Sequence, residues 1–168
     1  MKWIAISGSW RLTDEKVERD VRREVANIIK SGDGIVSGGA LNVDYFATDE
    51  AMKLNSDYSQ IKIFLPTTLE IYAQHYRKRA DENVISHDEA EKLIIQLSRL
   101  KEINPDSLLE NIANKVVDKT TYYERNLSVI NAAEELLAFH VNGSDGVQDT
   151  IDKAKIKEIP IKIITYTI

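Results

Sequence analysis

The sequence predicts an α/β fold in which a five-stranded parallel sheet carries helices on both faces. Short apolar runs alternate along the chain with segments whose apolar residues recur at helical spacing, and Gly, Ser or Pro follow most of the runs. Parallel strands need long crossover connections, so this alternation indicates helices that cover both faces of one sheet. A length of 168 residues suits one domain, which we expect to span residues 1–168 with one helical insertion at about 83–118.

The first part of the chain alternates in the order β-α-β-α-β. Thr13, Asp14 and Glu15 open the first helix, whose apolar side chains fall on one face. Pro66 ends the third strand, because proline has no backbone N–H for a sheet. The predicted strands are residues 3–6, 34–37 and 61–65, and a second helix is predicted over about 41–54.

The segment that follows the third strand carries no strand pattern and is expected to be helical. Ser86 and Glu89 form a capping-box pattern ahead of an apolar stripe. Asn104 and Pro105 then predict the start of a second helix. Its expected inward residues are Leu108, Leu109, Ile112 and Val116. We interpret these two helices as an inserted hairpin.

The strand and helix pattern resumes after this insertion. Thr121 and Glu124 form another capping-box pattern, which predicts a helix that ends near Ala132. A fourth strand is predicted at 136–139, a helix at 145–157 and a fifth strand at 161–164.

The composition excludes several classes of function. The chain has no cysteine, so disulfides, thiolate metal sites and a cysteine nucleophile are absent. His75, His87 and His140 lack the spacing of metal ligands, so we expect no metal site. We expect no required cofactor, and Mg²⁺ stays open as a companion of a nucleotide ligand although no residue pattern supports it. A net charge of −5 disfavours nucleic acid as a partner. No apolar run reaches the roughly 20 residues of a membrane span, and glycine follows the first strand too soon for a signal peptide. We therefore expect a cytoplasmic protein.

Three strands are followed by small or glycine-rich segments that lead into helices. Ligands of open parallel sheets bind at the carboxyl ends of strands, and helix N-termini there favour anions. The segments are Ser7, Gly8, Ser9 and Arg11 after the first strand, Ser37, Gly38, Gly39 and Ala40 after the second, and Gly143, Ser144, Asp145, Gly146 and Val147 after the fourth. Each could be an ordinary turn, but together they predict a phosphate site. The ATPase and dinucleotide fingerprints, G-x-x-x-x-G-K-[ST] and G-x-G-x-x-G, are both missing.

A few other side chains could complete such a site. Arg125 could pair with a phosphate, or with Glu124 on the surface. Asp44 could accept a hydrogen bond from a ribose hydroxyl, or only stabilise its helix dipole. Asp145 could be only a helix cap. The aromatic residues Trp10, Tyr122 and Tyr123 could stack on a base, or pack within the fold.

These motifs resemble the four loop motifs of the SLOG superfamily, which includes DprA and the LONELY GUY phosphoribohydrolases. The motif segments are residues 6–9, 36–40 with Asp44, 124–126, and Gly146 followed by Thr150 and Ile151. The resemblance covers about residues 2–65 and 120–166. It implies a Rossmann-like three-layer sandwich with strand order 3-2-1-4-5. It also implies that Arg125, Asn126 and Thr150 join the three loops in binding a nucleotide or phosphorylated nucleoside.

The resemblance also suggests an activity, and the sequence departs from the family pattern there. Arg125 matches the catalytic arginine of the LONELY GUY enzymes, whereas their catalytic glutamate falls on Thr150, beside Asp149, and their threonine falls on Val147. Hydrolysis of a nucleoside monophosphate to base and ribose phosphate, with Arg125 and Asp149 as the catalytic pair, is therefore one hypothesis. A non-catalytic nucleotide sensor and a DprA-like single-stranded DNA-binding protein are the alternatives. A homodimer is expected in each case.

Overall fold

The computed structural model describes all 168 residues, and a six-stranded sheet lies at its centre. All five strand pairings are parallel, and the strand order is β4-β3-β2-β1-β5-β6. The strands are β1 (Trp3–Gly8), β2 (Gly34–Ser37), β3 (Ile61–Phe64), β4 (Leu108–Leu109), β5 (Glu135–Val141) and β6 (Ile161–Tyr166). The helices are α1 (Glu15–Lys30), α2 (Val43–Leu54), α3 (Leu69–Asp81), α4 (His87–Ile103), α5 (Lys119–Asn131) and α6 (Asp145–Lys157).

Helices cover both faces of the sheet and so form three layers. Side chains alternate along each strand: Ile4 and Ile6 of β1 belong to one hydrophobic cluster, and Ala5 belongs to the other. Helices α1 to α4 pack in the first cluster, and α5 and α6 pack in the second. This arrangement confirms the predicted Rossmann-like three-layer fold. None of the helices combines the length and the hydropathy that crossing a membrane requires.

The predicted strand order is confirmed, and a sixth strand extends it at one edge. Strand β4 pairs with β3 through Ile63 opposite Leu108, in the segment where we predicted the second helix of the hairpin. That helix prediction is wrong. Residues Pro105–Ser107 make a single 3-10 turn, and the chain then extends. Of the expected inward residues, Leu108 is only 6% exposed, whereas Ile112 is 75% and Val116 57% exposed. Helix α4 instead packs beside α3.

Two of the predicted helix N-caps are confirmed and two helices begin at other residues. Asp14 caps α1, and Ser86 with Glu89 makes the predicted capping box of α4. The expected box at Thr121 and Glu124 is wrong, because Asp118 is the N-cap of α5 and Thr121 is its partner. Ser144, rather than Asp145, occupies the N-cap position of α6.

The Asp118 cap provides a test of how α5 begins. The Asp118 carboxylate accepts a hydrogen bond from the Thr121 amide at 2.9 Å, and the Thr121 hydroxyl accepts one from the Asp118 amide at 2.9 Å. We expect Asp118→Ala to lower the free energy of unfolding by about 1 kcal/mol, the usual effect of losing such a cap, in urea denaturation. Thr120→Ala, at an exposed neighbouring position without a hydrogen bond, is the control and should change it by less than about 0.5 kcal/mol. Equal effects of the two substitutions would contradict this cap.

Candidate functional site

A cleft of about 680 Å³ opens at the carboxyl ends of β1, β2 and β5. Its floor includes Ser7 and Gly8 at the end of β1, Gly38 and Ala40 after β2, and the first turn of α6 after β5. Helices α3 and α5 contribute the walls. The cleft therefore lies where an open parallel sheet places its ligands.

Arg125 of α5 reaches across the cleft to the loop after β2. Its guanidinium donates a hydrogen bond to the carbonyl of Gly38, and its Nε donates to Asn126 Oδ1 at 3.1 Å. Both acceptors are neutral, and no carboxylate lies within 4.0 Å of the guanidinium. A Cβ atom at residue 38 would lie 2.5 Å from Arg125 Cζ, so this approach requires glycine. The half-buried charge is thus held in place without an ion-pair partner.

Asp149 contacts Arg125 indirectly, through Asn126. Its carboxylate accepts hydrogen bonds from Asn126 Nδ2 at 3.1 Å and from Lys153 Nζ at 2.6 Å, and Asn126 in turn accepts from Arg125. Asp149 does not line the cleft. A carboxylate with both oxygens engaged in this way orients Arg125 through Asn126 rather than facing a ligand.

Asp44, in the first turn of α2, is a buried carboxylate on the cleft wall. It is 6% exposed, and Oδ2 accepts a hydrogen bond from the Ala40 amide at 3.2 Å. Burial raises the pKa of Asp44, although the nearby Arg125 charge and the Ala40 amide oppose the rise. Its position beside the loop after β2 suits an acceptor for a ligand hydroxyl.

The raised pKa of Asp44 makes its ionised form costly for stability. The pKa of Asp44 is higher in the folded than in the unfolded protein. Protonated Asp44 therefore stabilises the fold below the unfolded pKa, and this contribution is lost as the pH rises through the folded pKa. We expect Asp44→Asn, which keeps an acceptor for the Ala40 amide, to raise the melting temperature of the free protein at pH 7. The melting temperature should rise by about 2–4 °C for each kcal/mol added to the free energy of unfolding, and the rise should shrink towards pH 4. A melting temperature that falls at pH 7 would contradict this. The control is Asp106→Asn, at an exposed aspartate whose side chain makes no hydrogen bond or ion pair.

The first turn of α6 supplies the third part of the floor. Ser144 at its N-cap makes no side-chain cap bond, and Asp145, Gly146 and Val147 follow along the cleft. Amides of a first helical turn have no partners within the helix and favour an anion. Thr150 faces the same space, and its hydroxyl donates to the Gly146 carbonyl at 3.1 Å.

The loop after β1 is held by one side chain. The Ser9 hydroxyl accepts hydrogen bonds from the amides of Arg11 and Leu12 at 3.3 and 2.9 Å, and Ser9 is buried. Ser9 therefore shapes the loop and does not face the cleft, whereas Trp10 and Arg11 do.

The structure brings most of the predicted site residues together. Those that line the cleft are Ser7, Gly8, Arg11, Gly38, Ala40, Asp44, Arg125, Asn126, Ser144, Asp145, Gly146, Val147 and Thr150. Those that lie outside its lining are Ser9, Ser37, Gly39, Gly143 and Asp149. No group of His, Asp and Glu side chains is arranged to hold a metal ion.

Sequence reasoning missed one wall of the cleft. His75, Tyr76 and Arg79 of α3 line it, together with Val84 and Ile85 from the turn after α3. Lys119, at the start of α5, also lines it. His75 and Arg79 are four residues apart, which places both on one side of a helix. This spacing is the sequence feature that could have predicted the wall.

Cations outnumber carboxylates around the cleft. Arg11, Arg79, Lys119 and Arg125 line it, against Asp44 and Asp145. Of these cations, Arg79 pairs with Glu82 at 3.3 Å. The cleft thus differs in its charge balance from the chain as a whole, which has a net charge of −5.

No protein-family model matches the chain, and neither does any curated protein. Solved structures do match. DNA processing protein A (DprA) from Helicobacter pylori, a protein with a single-stranded DNA binding mode, has a TM-score of 0.69 at 20% identity, over 96% of this chain and 64% of its own. DprA from Streptococcus pneumoniae has a TM-score of 0.55 at 14% identity, over 96% of this chain and 58% of its own. The structural genomics target TM1055 has a TM-score of 0.57 at 13% identity, over 96% of this chain and 72% of its own.

These likenesses show a shared fold. DprA is also one of the proteins that the loop motifs resemble, so the fold that this resemblance implies is confirmed. The chain spans less than two thirds of the length of either DprA structure that it matches.

Proposed function

We propose that the cleft binds a nucleotide or a phosphorylated nucleoside, with the phosphate at Arg125. The observation that carries this proposal is the guanidinium itself, which is half-buried, fixed by the Gly38 carbonyl and free of any carboxylate within 4.0 Å. A partly buried charge without an oppositely charged partner has lost part of its hydration, and an anionic ligand offsets that loss. The first turn of α6 adds a second feature that favours an anion.

The test compares nucleosides with their phosphates. We expect isothermal titration calorimetry with the purified protein to show at least tenfold tighter binding for one nucleoside 5′-monophosphate, or its di- or triphosphate, than for the same nucleoside, since a charge-assisted hydrogen bond contributes about 1.5–3 kcal/mol. Equal affinities for the nucleoside and its phosphates would contradict the proposal. The panel includes ADP-ribose and ribose 5-phosphate, which define the part of the ligand that is recognised.

The geometry supports binding better than hydrolysis of the N-glycosidic bond. That reaction develops positive charge on the sugar, and a carboxylate must face the reacting carbon or its water. Asp149 is turned to Lys153 and Asn126 and lies outside the cleft lining. We therefore assign Asp149 a positioning role. Release of free base from a nucleoside monophosphate, abolished in Asp149→Asn with binding retained, would restore the catalytic pair of Arg125 and Asp149.

Single-stranded nucleic acid is the second candidate ligand, and the rim of the cleft favours it. Trp10 is 43% exposed there, and Tyr123 has Lys119 and Lys153 at 5.3 and 5.1 Å from its ring. An exposed ring and a half-buried ring beside cations are typical of surfaces on which bases stack. The likeness to a protein with a single-stranded DNA binding mode points the same way.

Salt dependence separates the two candidates. If single-stranded DNA is the ligand, the affinity for a labelled oligonucleotide falls steeply between 50 and 200 mM salt, because several phosphates release counterions together. If a mononucleotide is the ligand, the oligonucleotide shows no binding in fluorescence anisotropy while the nucleotide does.

A further inference from the structure

We propose that α3 and the turn after it form a nucleobase subsite, which we call the α3 wall: His75, Tyr76, Val84 and Ile85, together with Tyr122 of α5. This inference rests on the proposed function and adds the base of the ligand, next to the phosphate residue Arg125, whose Cζ lies 5.3 Å from the Tyr122 ring. The α3 and turn residues lie in a part of the chain that the loop motifs do not cover.

The two ends of the cleft differ in chemistry. The floor has small residues and the start of α6, which suit a phosphate and a sugar. Helix α3 begins at Leu69 and lines the cleft only from His75 onward, so the free amides at the start of α3 do not face the cleft. The α3 wall offers the partly exposed ring of Tyr122 and the side chains of Val84 and Ile85 instead. Flat, apolar surface of this kind suits the faces of a base.

A polar pair provides an edge for hydrogen bonding. The Tyr122 hydroxyl and His75 Nε2 lie 3.4 Å apart, and both residues line the cleft. Burial lowers the pKa of His75, and the charge of Arg79 lowers it further against the opposing effect of Glu82, which favours the neutral imidazole. A neutral imidazole has one donor and one acceptor, and a hydroxyl has both. Base edges present the same combination of groups.

The α3 wall is tied to the loop that holds Arg125. The Tyr72 hydroxyl donates to the Gly39 carbonyl at 2.9 Å, and it lies 3.3 Å from the Tyr76 hydroxyl. Both tyrosines are buried. The spacing between the base end and the phosphate end is therefore set by hydrogen bonds inside the fold, which is the preorganisation that a two-part ligand needs.

The experiment measures how much of the affinity depends on the base. Calorimetry compares ribose 5-phosphate with the 5′-monophosphates of adenosine, guanosine, cytidine and uridine, in wild type, His75→Ala and Tyr122→Leu. We expect the best nucleotide to bind wild type about tenfold more tightly than ribose 5-phosphate, a ratio in the range of base stacking on an aromatic side chain. His75→Ala should reduce that ratio several-fold, while its affinity for ribose 5-phosphate stays within about twofold of wild type. Tyr122→Leu also removes the ring that lies 5.3 Å from Arg125 Cζ, so it should weaken both ligands, the nucleotide several-fold more than ribose 5-phosphate. His87→Ala, at an exposed histidine of α4, is the matched control and should change neither affinity.

The results that would contradict the subsite differ from those that would contradict the proposed function. If wild type binds ribose 5-phosphate as tightly as every nucleotide, or if the variants weaken both ligands equally, the nucleobase subsite is wrong and phosphate binding stands. If wild type binds no phosphorylated probe, the proposed function fails and the subsite fails with it. Tyr122→Phe, which removes only the hydroxyl, replaces Tyr122→Leu if the latter does not fold, and it should reduce the ratio through the lost hydrogen bond.

Discussion

Replacing Arg125 with alanine is expected to weaken nucleotide binding by about ten- to a hundredfold, the effect of losing one or two charge-assisted hydrogen bonds. The guanidinium is the half-buried cation that the Gly38 carbonyl and Asn126 direct at the cleft, and no other side chain reaches that loop with a positive charge. Calorimetry with the nucleotide that wild type binds best gives the change directly. Arg125→Lys should recover part of the affinity, because lysine keeps the charge but not the planar fork.

The control for this substitution is Arg19→Ala. Arg19 is exposed on α1 and makes no side-chain hydrogen bond or ion pair, so its removal changes the net charge of the protein equally and leaves the cleft intact. We expect wild-type affinity in this variant. Equal losses in Arg19→Ala and Arg125→Ala would mean that the overall charge, rather than a site at Arg125, determines binding.

Replacing Gly8 with alanine is expected to produce the largest loss of stability among single glycine substitutions. A Cβ atom at residue 8 would overlap three side-chain atoms of Val43, where the end of β1 meets the start of α2. Overpacking of this kind costs about 1–3 kcal/mol, because the backbone of the strand or the helix must move. Thermal and urea denaturation measure the change.

Two variants make this prediction specific. Gly146→Ala, at a glycine of α6 whose added Cβ would meet nothing within 4 Å, should be neutral or stabilising by up to about 1 kcal/mol. Val43→Ala combined with Gly8→Ala should recover stability relative to Gly8→Ala alone, since it removes the overlapping atoms. If Gly8→Ala and Gly146→Ala have the same stability, the close approach of β1 and α2 is not as the structure places it.

Local sequence patterns predicted the parts of the fold that local chemistry determines. Asp14 and Ser86 start their helices as predicted because a single side chain accepts from the backbone amide three residues later. The strand order followed from the resemblance to proteins of the same fold. Strand β4 could not be found in this way, because it exists only through its pairing with Ile63 and Phe64, which lie more than forty residues earlier.

The missed helix and the missed wall of the cleft have related causes. Leu108, Ile112 and Val116 fit a helical spacing, but the last two are exposed, so the spacing was coincidental and not a buried face. The limits of α3 were not assigned, although Thr68 caps it. Without those limits, His75 could not be placed opposite the three loops.

The predicted and the observed positions of the site carboxylates also differ. Asp44 and Asp149 both lie near Arg125, and from the sequence we predicted a ribose acceptor at Asp44 and a catalytic partner of Arg125 at Asp149. The structure separates them by orientation: Asp44 lines the cleft, and Asp149 faces Asn126 and Lys153. Side-chain direction depends on packing between α5 and α6, which no short motif encodes.

The measurement that tests the central claim most directly is a crystal structure of the protein with the nucleoside monophosphate that it binds best. The account predicts the phosphate within hydrogen-bond distance of the Arg125 guanidinium and near the first turn of α6, with the base against Tyr122 and Ile85. Phosphate bound at the rim between Arg79 and Lys119, with the base at Arg125, would contradict the assigned polarity of the cleft. A nucleotide bound outside the cleft would contradict the proposed function itself.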